Sequence, residues 1–194
     1  MAELLLFHHA QGRTPGVVAF ADQLRRAGHT VHTPDLYDGH TFASIDEGVG
    51  YAKKVGFGTI LEQGKKTAES LPSGLVYAGF SLGVMPAQAL AQTRPGAKGA
   101  LLFSAAIPPE EFGGPWPAGV PLQIHMMEAD KWVQEGDLAA ARKMSTTVPN
   151  AELFLYPGDR HLFADSSLGD YDPRAAAELT ERVLTFLEKT DSPS

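Results

Sequence analysis

The stretch Val76-Tyr77-Ala78-Gly79-Phe80-Ser81-Leu82-Gly83-Val84-Met85-Pro86 constrains this chain more than any other. A short apolar run leads into Gly-x-Ser-x-Gly, and helix-forming residues follow it. A strand, a sharp turn and the start of a helix are therefore expected here. A serine on such a turn stands clear of the sheet on a strained backbone. Gly79 and Gly83 lack Cβ atoms, which lets the incoming strand and outgoing helix approach closely. The helix N-terminus then faces the serine and favours negative charge developing beside it.

The rest of the chain repeats the strand-then-helix alternation. Apolar or alternating runs predict strands at 3–7, 29–33, 75–80, 99–104, 121–127 and 151–156. Helical spacing or capping signals predict helices at 17–27, 45–55, 59–70, 82–93, 136–148 and 173–189. Ser44 with Glu47 three residues on reads as a capping box, and Gly28 as a helix C-cap. Pro86 falls in the first turn of its helix, where a missing N–H costs little. Residues 105–119, rich in proline and glycine, read as one long loop, and the tail at 191–194 as frayed. Strands alternating with helices imply parallel β-α-β units. With no internal repeat and no linker, the 194 residues are expected to form one α/β domain at 1–194. Its core would be a mostly parallel six-stranded sheet flanked by helices.

Composition narrows the function classes. The formal net charge is −7, and no basic cluster exceeds Arg25-Arg26 or Lys65-Lys66. Nucleic acid is thus not an expected partner, since phosphate recognition needs a basic face. The chain has no cysteine, which excludes disulfides, thiolate metal sites and a cysteine nucleophile. No run approaches the length of a membrane span. Leu4-Leu5-Leu6-Phe7 is too short for a signal core and follows Glu3 rather than a basic residue, so a cytoplasmic location is expected. Adjacent His8 and His9 lack a third ligand at metal-site spacing, and no metal or cofactor is expected.

A serine hydroxyl needs a base within hydrogen-bond reach, and the base needs a group that holds its tautomer. Parallel sheets gather such groups at the C-terminal ends of strands. Ser81 follows the third strand, Asp130 the fifth and His161 the sixth. The order Ser, Asp, His suits a nucleophile, acid and base set in that sequence. Glu128 and Asp159 are rival acids. The Leu82 N–H is the expected first oxyanion donor. The second would come from the loop after the first strand, from Ala10 or from Gln11. Tyr37, Phe112, Trp116, Trp132 and Phe163 lie in loops on the same side and are candidate walls of a substrate site.

These segments together resemble the dienelactone hydrolase family, a small lid-free branch of the α/β-hydrolases. The likeness rests on Phe7-His8-His9-Ala10-Gln11-Gly12, Pro34-Asp35-Leu36-Tyr37, Gly79-Phe80-Ser81-Leu82-Gly83, Glu128-Ala129-Asp130 and Tyr156-Pro157-Gly158-Asp159-Arg160-His161-Leu162-Phe163. It implies an α/β-hydrolase fold and hydrolysis of a small ester, thioester or lactone without a cofactor. Three departures stand out. The best-known members carry cysteine where this chain has Ser81. They carry a first-loop glutamate where this chain has His9, which places His9 beside the substrate site. Members acting on dienelactones hold the substrate carboxylate with arginines, one of them where this chain has Asp165, so an anionic substrate is not expected. Acyl transfer through the same three residues, and a non-catalytic binding protein on the same fold, remain the alternatives. Oligomeric state is not legible.

Overall fold

Six parallel strands form one sheet in the order β2-β1-β3-β4-β5-β6. A computed structural model describes residues 1–191; of the tail expected at 191–194, Asp191 ends the last helix and residues 192–194 lie outside the described residues. The strands are β1 (Glu3–Phe7), β2 (Thr30–His32), β3 (Val76–Phe80), β4 (Gly99–Phe103), β5 (Leu122–Met127) and β6 (Ala151–Tyr156). The helices are α1 (Pro15–Arg26), α2 (Ile45–Val55), α3 (Phe57–Glu69), α4 (Val84–Thr93), α5 (Asp137–Thr147) and α6 (Pro173–Asp191).

Local chemistry sets the helix starts. Pro15 opens α1, and the Thr14 hydroxyl accepts from the Val17 N–H. At α2 the Glu47 N–H donates to Ser44 Oγ at 3.2 Å, while the Glu47 carboxylate takes the Ala43 N–H at 3.1 Å. The box therefore closes one residue earlier than its usual form. At α6 the Asp172 carboxylate accepts from the Arg174 and Ala175 N–H groups.

Period-two burial divides the core into two layers. Leu5, Tyr77, Leu102 and Ile124 face α2–α5, where they meet Ala52, Ile60, Ala87 and Leu138. Leu4, Leu6, Ala78, Leu101 and Phe103 face the other way, against Val17, Phe20 and Leu24 of α1 and Leu179, Val183 and Phe186 of α6. All residues of β3, β4 and β5 are buried, as expected of parallel strands covered on both faces.

This strand order positions the site. From β1 the chain runs outward to β2, then crosses back to β3 on the other side of β1. The loops after β1 and β3 thus diverge at their C-terminal ends, where α/β sheets bind ligands.

The long loop at 105–119 is strapped down rather than loose. It contains a short 3-10 turn at Pro109–Phe112. Gln88 of α4 donates to the Ile107 carbonyl and accepts the Ile107 N–H, Gln92 reaches the Pro109 carbonyl, and the Asp137 carboxylate accepts from the Ala106 N–H.

Candidate active site

Ser81 sits at φ +49°, in the left-handed region that costs a residue with a Cβ about 1–2 kcal/mol. A 3-10 turn at Ser81–Gly83 separates β3 from α4, so the helix expected from residue 82 begins at Val84. A Cβ on Gly79 would stand 2.1 Å from the Gly83 carbonyl oxygen, and one on Gly83 would stand 2.5 Å from that of Phe7 and 2.6 Å from that of His8. The turn can therefore close, and press on the end of β1, only with glycine at both positions.

Ser81 Oγ lies 2.7 Å from His161 Nε2. On the far side of the ring, His161 Nδ1 lies 2.5 Å from Asp130 Oδ2. Asp130 is completely buried and His161 is 5% exposed. Since the carboxylate accepts from Nδ1–H, Nε2 is left as the acceptor for the serine hydroxyl. The second Asp130 oxygen accepts from the Trp132 N–H at 2.9 Å. The His161 carbonyl accepts from Ser104 Oγ, so Asp130 and His161 are each held from outside the relay. Glu128 and Asp159 are exposed; neither replaces Asp130 at the imidazole.

A cleft of about 420 Å³ opens over His161, lined by Gln11 after β1, Ser44 and Asp46 at the start of α2, Lys131 and Trp132 after β5, and Asp159 and Asp170 after β6. The volume suits a small ligand. The Trp132 ring, 37% exposed, stands 5.9 Å from the His161 ring.

Of the six side chains the sequence suggested for the substrate site, Trp132 alone lines this cleft. Phe112 is half-buried at the end of the 3-10 turn in the 105–119 loop, and Tyr37, Trp116, Phe163 and His9 belong to the interior, away from the place expected of them. Tyr37 is buried beneath the loop after β2, its hydroxyl on the Gly48 carbonyl. Trp116 is buried with its indole N–H on the Val120 carbonyl. Phe163 packs into the α1–α6 layer. Each has a large apolar surface to remove from water, and the loops fold so as to bury it.

His9 is fully buried as well. Its Nε2–H donates to Asp165 Oδ2 at 2.7 Å, and its Nδ1 accepts the Gln11 N–H at 3.2 Å. Asp165 also accepts from the hydroxyls of Thr14 and Ser167 and from the Ser167 N–H. These hydrogen bonds hold its carboxyl below the usual carboxylate range despite burial. Asp165 therefore points inward and does not confront a substrate. The negative charge near the cleft comes instead from Asp46, Asp159 and Asp170, against a single lysine, Lys131. The bracing of Asp165 by Thr14 and Ser167 and the place of Ser44 and Asp46 on the cleft are not legible in the sequence, although the capping box itself is.

An open sheet with a serine on a tight turn at its switch point and a Ser-His-Asp relay at the strand ends is the arrangement of an α/β-hydrolase without a lid. The chain belongs to the dienelactone hydrolase family, whose model matches residues 3–190. Solved structures share the fold. A dienelactone hydrolase-like promiscuous phosphotriesterase from metagenomic libraries superposes with a TM-score of 0.78 at 17% identity, over 98% of this chain and 87% of that one. A putative dienelactone hydrolase from Klebsiella pneumoniae subsp. pneumoniae gives 0.74 at 15% identity, over 97% and 87%. A cold-adapted esterase from an Arctic intertidal metagenomic library gives 0.64 at 16% identity, over 96% and 82%. No curated protein matches the chain. No helix among the described residues is long and apolar enough to cross a membrane.

Proposed function

We propose that this hydrolase cleaves a small ester, thioester or lactone through a Ser81-His161-Asp130 triad and an acyl-enzyme intermediate. The observation that carries the reading is the unbroken relay from Ser81 Oγ through His161 to a fully buried Asp130, at 2.7 and 2.5 Å. Ser81 Oγ attacks the carbonyl carbon as its proton passes to His161 Nε2. The carbonyl oxygen becomes an oxyanion, held by the Leu82 and Ala10 N–H groups. The Gln11 N–H is already donated to His9, which favours Ala10 as the second donor. Such donors lower a barrier by about 3 kcal/mol each. Collapse expels the alcohol, thiol or ring oxygen, which takes the proton from His161. Water then repeats the attack on the acyl-enzyme, giving its proton to His161, and collapse releases the free acid as His161 returns that proton to Ser81 Oγ. Asp130 stays ionised and stabilises the imidazolium. No step requires a cofactor.

The cleft's solvent access favours water as the second nucleophile over a dedicated acyl acceptor. Its three carboxylates disfavour substrates carrying a negative charge near the scissile bond, so a dienelactone carboxylate is a poor fit. Neutral short-chain esters and lactones are the expected substrates. A non-catalytic binding role would not require the relay to be complete.

Labelling with a fluorophosphonate and peptide mass analysis tests this. The expected result is one adduct, on the Ser81 peptide, absent from Ser81→Ala. No adduct on the wild type, together with no turnover of short p-nitrophenyl esters, would overturn it.

A further inference from the structure

The loop after β1 holds two buried histidines whose four ring nitrogens are all engaged, three of them by backbone groups. His8 Nδ1–H donates to the His9 carbonyl at 2.8 Å, and His8 Nε2 accepts the Leu36 N–H at 2.9 Å. The Leu36 N–H therefore fixes the tautomer with hydrogen on Nδ1. Burial pushes the His8 imidazole down to about 4, so it stays neutral and keeps that single donor at neutral pH. The same His9 carbonyl also accepts the Gly12 N–H at 3.0 Å. It belongs to the peptide whose nitrogen is Ala10 N, and no peptide bond among the described residues is cis. Carbonyl and N–H point opposite ways in a trans peptide, so gripping the carbonyl from two sides fixes the direction of the Ala10 N–H.

The next peptide is pinned as well. Its N–H, that of Gln11, goes to His9 Nδ1, and its carbonyl, that of Ala10, lies against Gly48 so closely that a Cβ there would stand 1.9 Å away. The Asp165 carboxylate, four residues past His161, holds the opposite side of the His9 ring.

We propose that His8 and His9 are positioning residues of the oxyanion site: His8 orients the Ala10 N–H, and His9 withdraws the neighbouring Gln11 N–H, so that the loop presents one donor in one direction. This rests on the hydrolase reading with Ala10 as second donor. It gives the adjacent histidines a reason to be polar and buried where an apolar pair would fill the same space.

The test compares His8→Leu with His8→Asn, and His9→Leu with His9→Asn, on p-nitrophenyl acetate. Inhibition by an aryl trifluoromethyl ketone is measured in parallel. That ketone bonds to Ser81 Oγ, passes the serine proton to His161 and leaves an anionic oxygen at the donors. In His8→Asn the amide N–H can still donate to the His9 carbonyl; in His9→Asn the amide oxygen can still accept the Gln11 N–H. The leucine variants are expected to lose 10–100-fold in kcat with KM within about twofold, and to lose ketone affinity in proportion. The asparagine variants should recover most of both. Melting temperatures establish that each variant is folded; if His8→Leu is not, the His9 pair carries the comparison. Leucine variants with wild-type kcat and ketone affinity overturn the proposal, as does a loss that asparagine does not reverse. A wild type with no turnover and no fluorophosphonate adduct overturns the hydrolase reading, and this proposal with it.

Discussion

His161 Nδ1 lies 2.5 Å from Oδ2 of Asp130, a carboxylate with no exposure to solvent. A buried charge is tolerated only when it is hydrogen-bonded, and Asp130 also accepts the Trp132 N–H. Asp130→Asn can keep this packing but no longer holds Nδ1–H, so His161 is free to turn or to carry its proton on Nε2. The expected loss is about 10³–10⁴ in kcat with KM nearly unchanged. Glu128→Gln and Asp159→Asn should stay within threefold of wild type. Steady-state kinetics on one p-nitrophenyl ester separates the three, and a large loss at Glu128 instead would move the triad acid.

Ser81 trades stability for geometry. At φ +49° its Cβ is crowded, whereas glycine adopts this conformation freely. Ser81→Gly should therefore abolish turnover while raising stability by about 0.5–1 kcal/mol. Urea denaturation of the two proteins checks the sign. A Ser81→Gly protein less stable than wild type would show that the serine hydroxyl contributes more to the fold than the turn costs.

Trp132 and Phe163 make a second contrast, because the sequence placed both at the substrate site and the structure separates them. Trp132 is partly exposed in the cleft, so Trp132→Ala should raise KM several-fold and leave the melting temperature within about 2 °C. Phe163 is 1% exposed in the α1–α6 layer. Phe163→Ala should cost about 3–5 kcal/mol of stability by leaving a cavity. Thermal melts beside KM values decide; a KM effect at Phe163 without destabilisation would return it to the substrate site.

The same pair shows what is legible in a sequence. Capping chemistry is local, so Ser44 and Glu47 set the start of α2 at Ile45, and the mostly apolar run at 151–156, stopped by Pro157-Gly158, gives β6 its bounds. Chain order along parallel strands is enough to bring Ser81, Asp130 and His161 to one edge of the sheet. By contrast, which side of a loop an aromatic faces depends on the surface waiting to be covered, and that belongs to other elements. Tyr37 and Phe163 look alike to Trp132 in sequence and differ only in what packs on them. The His9–Asp165 bond joins residues 156 apart through two loops. No periodicity reports it, and a substitution pattern known from relatives suggested a substrate contact in place of a buried brace.

Buried neutral imidazoles fix how the fold responds to acid. Burial lowers His125 to about 3 and His8 to about 4, from the 6.5 of a free side chain. His125 is held between the Tyr156 hydroxyl and the Gln123 side chain, with the Arg182 guanidinium near it raising the cost of a further positive charge. Above pH 7 neither folded nor unfolded chain protonates these rings, and they contribute no pH dependence. As pH falls below about 6.5, the unfolded chain takes up a proton at each and the folded chain does not, so stability falls. Each group adds a slope of about 1.4 kcal/mol per pH unit until its folded pKa is reached. Asp137, raised by burial, opposes this because its folded form protonates first on acidification. Asp165, lowered, contributes stability that is lost only at more acidic pH. Urea unfolding at pH 7, 6 and 5 for wild type and His125→Gln isolates one group, since the other titrations are common to both. The variant's stability should fall less steeply with acid, by about 1.4 kcal/mol for each pH unit below 6. Equal slopes would mean that His125 takes up its proton inside the folded protein.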